Sequence, residues 1–200
     1  MAYQVIDLRC PGCGSHLAPD KKKCEYCGGN VVITSFNSVY SVDLNKSAMA
    51  TRKALAEDPN SQSLNNFVAM CYLKLKLYDK AAEAFEKAIE DNFDNSETFF
   101  NAAVCLLKGK KAYFALGADI KKILGYLNAA IMIEPRGIYH YFLAYIKYDY
   151  FERKCTNPPS FTPPKWNEEL QVAIQTGLTQ ADVIQLFEML QVEMPECLRV

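Results

Sequence analysis

From Gln62 to Asn95 the chain reads QSLNNFVAMCYLKLKLYDKAAEAFEKAIEDNFDN, and its small and apolar residues recur at helical spacing. Val68, Ala69 and Tyr72 share one face of a first helix, and Ala81, Phe85 and Ala88 share one face of a second. Residues three, four or seven apart line up along an α-helix, which is why these sets fall together. Ala69, Ala81 and Ala88 are small enough to let two helix backbones approach closely, while Tyr72 and Phe85 fill the space beside them. The stretch predicts two amphipathic helices joined by a short turn. Such a hairpin cannot bury its apolar side alone, so the chain on either side has to supply neighbours.

This pattern resembles a tetratricopeptide repeat, a helix–turn–helix unit of about 34 residues. The family's large, small and aromatic positions match Val68, Ala69, Tyr72, Ala81, Phe85 and Ala88. Asn65 stands where the family usually has an aromatic, and Phe93 where it usually has proline. The resemblance implies stacked units, and the flanks read as such. DLNKSAMATRKALAEDPN looks like the second helix of an incomplete unit, with Ser47, Ala54 and Pro59 in register. Asp58-Pro59 ends that helix, because proline disfavours helical backbone in the residue before it.

After the full repeat, Phe99 and Ala103 take the expected aromatic and small positions, and Ala130 and Pro135 close the next unit. Between its halves, LLKGKKAYFALGADIKK holds about eight residues more than the family pattern needs. Two readings of this insertion stand side by side: a lengthened surface turn, or a basic and aromatic protrusion (Lys110, Lys111, Tyr113, Phe114) that meets a partner. The segment IYHYFLAYIKYDYFER, residues 138–153, is crowded with aromatics on more than one face. The second helix expected after it does not follow; CTNPPSFTPPKWN intervenes, and its two proline pairs cannot sit inside a helix. The aromatic helix is therefore expected to be covered by the proline segment and the tail, with Trp166 anchoring that segment, in preference to forming an open groove. Two tail helices follow: one capped by Asn167 and ended by Gly177, and one capped by Thr179 and stopping before Pro195. Val183, Leu186, Phe187 and Leu190 form one stripe on the second, expected to pack back as a cap.

A different module precedes the helices. Cys10-Pro-Gly-Cys13-Gly and Cys24-Glu-Tyr-Cys27-Gly are near-copies of one knuckle, separated by the ten residues 14–23. Two residues between cysteines let both sulfurs point at one ion while nearby amides hydrogen-bond the thiolates. Flanked by the strand-like runs YQVIDL and NVVITSF, this resembles a short zinc ribbon. Cys10, Cys13, Cys24 and Cys27 are the expected ligands of a structural Zn2+, since four thiolates close the tetrahedron and leave no open position. Rubredoxin-type iron is the less favoured rival, because its knuckles lie farther apart in sequence. His16 reads as a solvent-facing loop residue, and Lys21, Lys22 and Lys23 as an offset to the negative charge of the metal site. The remaining cysteines, Cys71, Cys105, Cys155 and Cys197, are scattered, which suits free thiols in a reducing compartment and a cytoplasmic protein.

The expected fold is thus mostly α: a TPR-like α-solenoid preceded by a small β zinc ribbon. The ribbon is assigned to 1–35, a linker to 36–42 and the helical domain to 43–200. Within the last, 62–95 is a full repeat, 96–137 a repeat with an insertion, and 138–200 a degenerate repeat with C-terminal capping helices. With 22 basic and 23 acidic residues the net charge is −1, which weighs against a protein built chiefly to grip nucleic acid or an anionic membrane. No apolar run approaches the roughly 20 residues of a membrane span, and the start lacks the pattern of a signal peptide.

Nothing resembles a catalytic constellation. The two histidines, His16 and His140, belong to no nucleophile–base pattern, and no phosphate-cradling glycine loop occurs. The acids read as solvated charge on helix faces, and Cys71 and Cys105 as core residues. The expected function is a non-catalytic adaptor or scaffold that binds a protein or peptide partner. Family register places Asn66, Met70, Lys74, Phe100, Val104 and Lys108 on the concave face. The alternative is a nucleic-acid-associated factor whose ribbon touches DNA or RNA while the repeats recruit protein. A third reading, redox sensing through thiolate oxidation and zinc loss, requires thiolates more exposed than a closed four-cysteine site provides.

Overall fold

The computed structural model describes residues 41–57, 61–90, 94–156 and 165–200. The expected zinc ribbon and its four cysteines lie outside these residues. Among the described residues eight α-helices follow one another: α1 (Ser41–Glu57), α2 (Gln62–Lys74), α3 (Tyr78–Glu90), α4 (Ser96–Leu106), α5 (Gly117–Ile133), α6 (Gly137–Ile146), α7 (Trp166–Gln175) and α8 (Gln180–Leu190). No strand occurs among the described residues. Ser41 and Val42, assigned to a linker in the sequence, belong to α1.

Each helix from α1 to α6 packs against the next, giving a stack of helical hairpins. In α2 and α3 the small residues meet as their spacing requires: Ala69, Ala81 and Ala88 are wholly buried, with Phe85 filling the gap between them. The α2–α3 turn is a Schellman motif, which satisfies carbonyls that the helix end would orphan. The Leu77 amide donates to the Tyr72 carbonyl at 2.8 Å and the Lys76 amide to that of Leu73 at 2.9 Å. Lys76 takes the left-handed conformation this requires, at φ 59°. Asn65, odd for the family, is buried, and its side chain donates to the Ser61 carbonyl in the turn before it.

The α4 helix is the centre of the stack. Ser96 and every residue from Thr98 to Cys105 are buried, because α3, α5 and α8 pack around it and α2 touches it. Its partner α5 turns Ile120, Ile123, Leu124, Leu127 and Ala130 inward, a run at spacings of three and four.

The aromatic segment is core. Tyr139, Tyr141, Phe142 and Tyr145 are each at most 1% exposed, and α6 runs on into a turn of π-helix, Lys147–Glu152. Contrary to the expectation that its partner helix is missing, α7 packs along α6 much as α5 packs along α4. Gly137 makes this possible: a β-carbon there would stand 2.5 Å from the Leu178 amide nitrogen and 2.6 Å from the Ala173 carbonyl oxygen. The start of α6 therefore presses directly on the end of α7, where Gly177, at φ 86°, terminates that helix. Trp166 opens α7 and packs edge-on against Tyr148, with ring centroids 5.3 Å apart.

Candidate functional site

The last helix decides what surface the stack can offer. Thr179 and Asp182 form a reciprocal capping box: the Asp182 amide donates to Thr179 Oγ1 at 3.2 Å, and the Thr179 amide to Asp182 Oδ2 at 3.0 Å. From that start α8 buries Val183, Leu186, Phe187 and Leu190 against α6 and α4. Phe187 meets the edges or faces of Tyr141 and Tyr145 at centroid distances of 6.2 and 5.5 Å. The helix thus lies on the side formed by the first helices of the units, where a concave face was expected to be open.

That placement divides the six residues assigned to the concave face. Phe100 is 6% exposed and packs on Tyr139 and Phe142, and Val104 is 1% exposed. Neither presents a side chain to a partner, a correction to the expected lining. Asn66 and Met70 are half-buried and already engaged, the first accepting from Thr98 Oγ1 at 3.3 Å and the second lying 3.3 Å from Asn101 Nδ2. Lys108 is exposed and paired with Asp79 at 2.6 Å. Lys74 lines an open cleft.

That cleft, of about 550 Å³, runs between the end of α2 and the outer side of α8. One bank carries Leu73, Lys74, Lys76 and Tyr78, and the other Ala181, Ile184, Gln185, Glu188, Met189 and Gln191. Ile184 is 54% exposed, an apolar side chain left over once the buried stripe of α8 has faced inward. Lys76 Nζ reaches across to Gln191 Oε1 at 2.5 Å and ties the two banks at one end.

The insertion is docked on the chain itself. Ala112 is wholly buried and its amide donates to the Tyr145 hydroxyl at 3.3 Å. The Tyr113 amide donates to Asp149 Oδ2 at 2.8 Å, and Arg153 pairs with the same carboxylate. Arg153 and Lys154 stand over the Tyr113 ring at 4.8 and 5.2 Å. Of the four residues assigned to a protrusion, Tyr113 and Lys111 are half-buried, with Lys111 Nζ 3.8 Å from Glu193. Lys110 is exposed, and Phe114 at 70% exposed projects free of the core.

Two acids depart from the expectation of solvated charge. Asp149 is 1% exposed beneath the insertion, and Glu169 is 3% exposed between α6 and α7. Glu169 accepts from buried Lys147 at 2.5 Å and lies 2.6 Å from His140 Nδ1. Burial alone would raise the Glu169 pKa, but the hydrogen bonds from His140 and Lys147 outweigh it and hold the carboxyl below its ordinary value. Both histidine and lysine face this one carboxylate, so the three side chains tie α6 to α7. The buried thiols are inert for the opposite reason: burial pushes Cys71 up to about 12 and raises Cys105 as well. Among the described residues no cluster of three or more potential metal ligands occurs, and no helix is long and apolar enough to cross a membrane.

No known family matches the chain, and no curated protein matches it. A solved structure titled "MamA MSR-1 C2" is similar at a TM-score of 0.49 and 16% identity, with 67% of this chain and 67% of that one covered.

Proposed function

We propose that this chain is a non-catalytic adaptor that holds a protein partner through the cleft between α2 and α8. The observation behind this reading is Ile184, half-exposed on α8 beside Met189, facing Lys74 across an open cleft. An exposed apolar anchor in a cleft with a polar rim is how protein interfaces concentrate binding energy. The TPR-like stacking of the helices supports the same role, with the difference that α8 fills the part of the concave face along α4 and α6.

The N-terminal cysteines complete the proposal: Cys10, Cys13, Cys24 and Cys27 hold a structural Zn2+, on the strength of their double knuckle. The free thiols of Cys71, Cys105, Cys155 and Cys197 accord with a reducing, cytoplasmic setting. Purified protein should carry one zinc per chain by elemental analysis, and Cys24→Ser should lose it.

The adaptor reading is tested by affinity capture with the intact chain and with Ile184→Glu. An exposed position tolerates the charge without unfolding, which circular dichroism verifies. Proteins retained by the parent should disappear with the variant and persist with Lys87→Glu, on an exposed position of α3. An unchanged set of captured proteins for Ile184→Glu overturns the reading.

A further inference from the structure

The cleft also carries information about the shape and charge of what fits it. Its inner neighbour is α8, a helix laid against α4 and α6, so the side of the stack formed by the first helices already accepts one amphipathic helix of this chain. Beside α8, the cleft opens against the last residues of α2, with Ile184 and Met189 as its apolar side chains and Leu73, 4% exposed, beneath it. The charge is uneven. The α2 bank bears Lys74 and Lys76, and Lys80 follows in the first turn of α3, whereas the α8 bank bears the single acid Glu188. Lys74 forms no ion pair among the described residues, and Lys76 is held only by the neutral Gln191 amide. Across the adjoining turn Lys108 offsets Asp79, which removes that acid from the balance.

We propose that the occupant of this cleft is an acidic amphipathic helix of another protein. It lies alongside α8 with its apolar stripe on Ile184 and Met189 and its carboxylates toward Lys74 and Lys76. This rests on the cleft being the partner site. Apolar contact supplies the affinity, and the lysine bank selects the charge and steers approach.

The test uses the full chain and fluorescence anisotropy with three labelled 18-residue peptides. All share a leucine stripe at helical spacing; the polar face is glutamate-rich in one and lysine-rich in the second. The third has the acidic composition scrambled to abolish the stripe. A labelled single-stranded oligonucleotide is the fourth probe. The acidic helix is expected to bind, the other probes to bind at least tenfold more weakly, and Lys74→Glu with Lys76→Glu to weaken the acidic helix about tenfold. Ile184→Glu should abolish its binding. Equal binding of the acidic and basic helices, or of the scrambled peptide, overturns the proposal. So does tighter binding of the oligonucleotide, and so does no peptide binding at all. If no peptide binds yet captured proteins still depend on Ile184, the adaptor reading survives and the acidic helix is excluded. If Ile184 matters to neither, both fall.

Discussion

The α2–α3 hairpin and the α6–α7 pair meet the same packing demand with different chemistry. In the first, wholly buried Ala69, Ala81 and Ala88 let two helices close on one another, and one aromatic, Phe85, fills what remains. In the second, α6 turns its large side chains Tyr139, Tyr141, Phe142 and Tyr145 to Phe100 of α4 and Phe187 of α8 or to one another, and meets α7 through Gly137 and a buried network of Lys147, Glu169 and His140. Small-residue packing is forgiving because each side chain contributes little and loses no polar partner. A buried ion pair is brittle: each charge is stable only while the other is present. The amino-terminal hairpin should therefore yield gradually to substitution, and the carboxyl-terminal pair abruptly.

The sharpest way to break this contrast is Glu169→Ala. It leaves the Lys147 ammonium, 4% exposed, without its carboxylate, and should cost about 3–5 kcal/mol in urea unfolding. Replacing both charges together, Lys147→Met with Glu169→Leu, should recover most of that loss, since two apolar residues of similar volume need no partners. A single Glu169→Ala variant with parental stability would mean that the network contributes nothing and that the two regions are alike. The same carboxylate carries a pH dependence. Its folded pKa is depressed, so its contribution is fully present above the ordinary carboxylate value and is lost as pH falls through the folded one.

Next in size is Gly137→Ala. In most helices this change would help, because alanine is the better helix former. Here the added carbon meets backbone atoms of α7 at 2.5 and 2.6 Å, and backbone cannot rotate aside as a side chain would. A loss of about 1–3 kcal/mol is expected, measured by thermal unfolding. Gly125→Ala in α5, where a β-carbon meets nothing within 4 Å, is the matched control and should stabilise.

These residues also show what could be read from the chain beforehand. The α2–α3 hairpin was legible because its contacts lie within one sequence period, so the positions of Ala81 and Ala88 announce their own burial. The aromatic helix was legible as core because aromatics on several faces need several neighbours. What escaped were relations between distant segments. Glu169 sits 22 residues from Lys147 and 29 from His140, and no periodicity links them. The α6–α7 pairing was hidden by the proline-rich connection, whose length breaks the repeat register. Phe100 and Val104 had the correct helical face for a concave lining, but no local pattern could show that Tyr139 and Phe142 close over Phe100 and that α8 returns against α4. The insertion reads as exposed by composition; its docking depends on Asp149, which accepts the Tyr113 amide from 36 residues away.

Alkaline unfolding separates the regions by pH. Burial raises the Cys71 thiol on α2 from 9.0 to about 12, and raises Cys105 on α4 from the same starting value. On α6 the Tyr141 and Tyr145 phenols are raised from 10.0, chiefly by burial. For each group the folded pKa exceeds the unfolded one, so between the two values the unfolded chain has released a proton that the folded chain retains. Stability is intact below the unfolded value and falls as pH rises above it, by up to about 1.4 kcal/mol per pH unit per group. Loss should therefore begin near pH 9 through the thiols and steepen near pH 10 through the tyrosines. Cys71→Ala with Cys105→Ala should remove the first phase and leave the second, followed by stability measurements from pH 8 to 11. A decline that starts only at pH 10 in the parent would show that the thiols are not shielded as described.

The smallest expected effect tests whether α8 belongs to the brittle region or merely lies on it. Thr179→Ala removes the hydroxyl that accepts the Asp182 amide and donates to Asp182 Oδ2, and leaves only the backbone amide of residue 179 bonded to that carboxylate. Loss of such a cap costs about 1 kcal/mol. If α8 folds as part of one unit with α6 and α4, that cost should appear as a uniform shift of the whole unfolding transition. If α8 opens by itself, hydrogen exchange should quicken in α8 while α2 and α3 keep their protection. The two outcomes have different consequences for binding. A helix that opens alone exposes more of the wall along α4 and makes the cleft a hinged site, whereas a helix locked to Tyr141 and Tyr145 fixes the bank on which Ile184 stands. Five contacts favour the locked form: the Phe187 packing on two tyrosines and the burial of Val183, Leu186 and Leu190. The uniform shift is therefore the expected result.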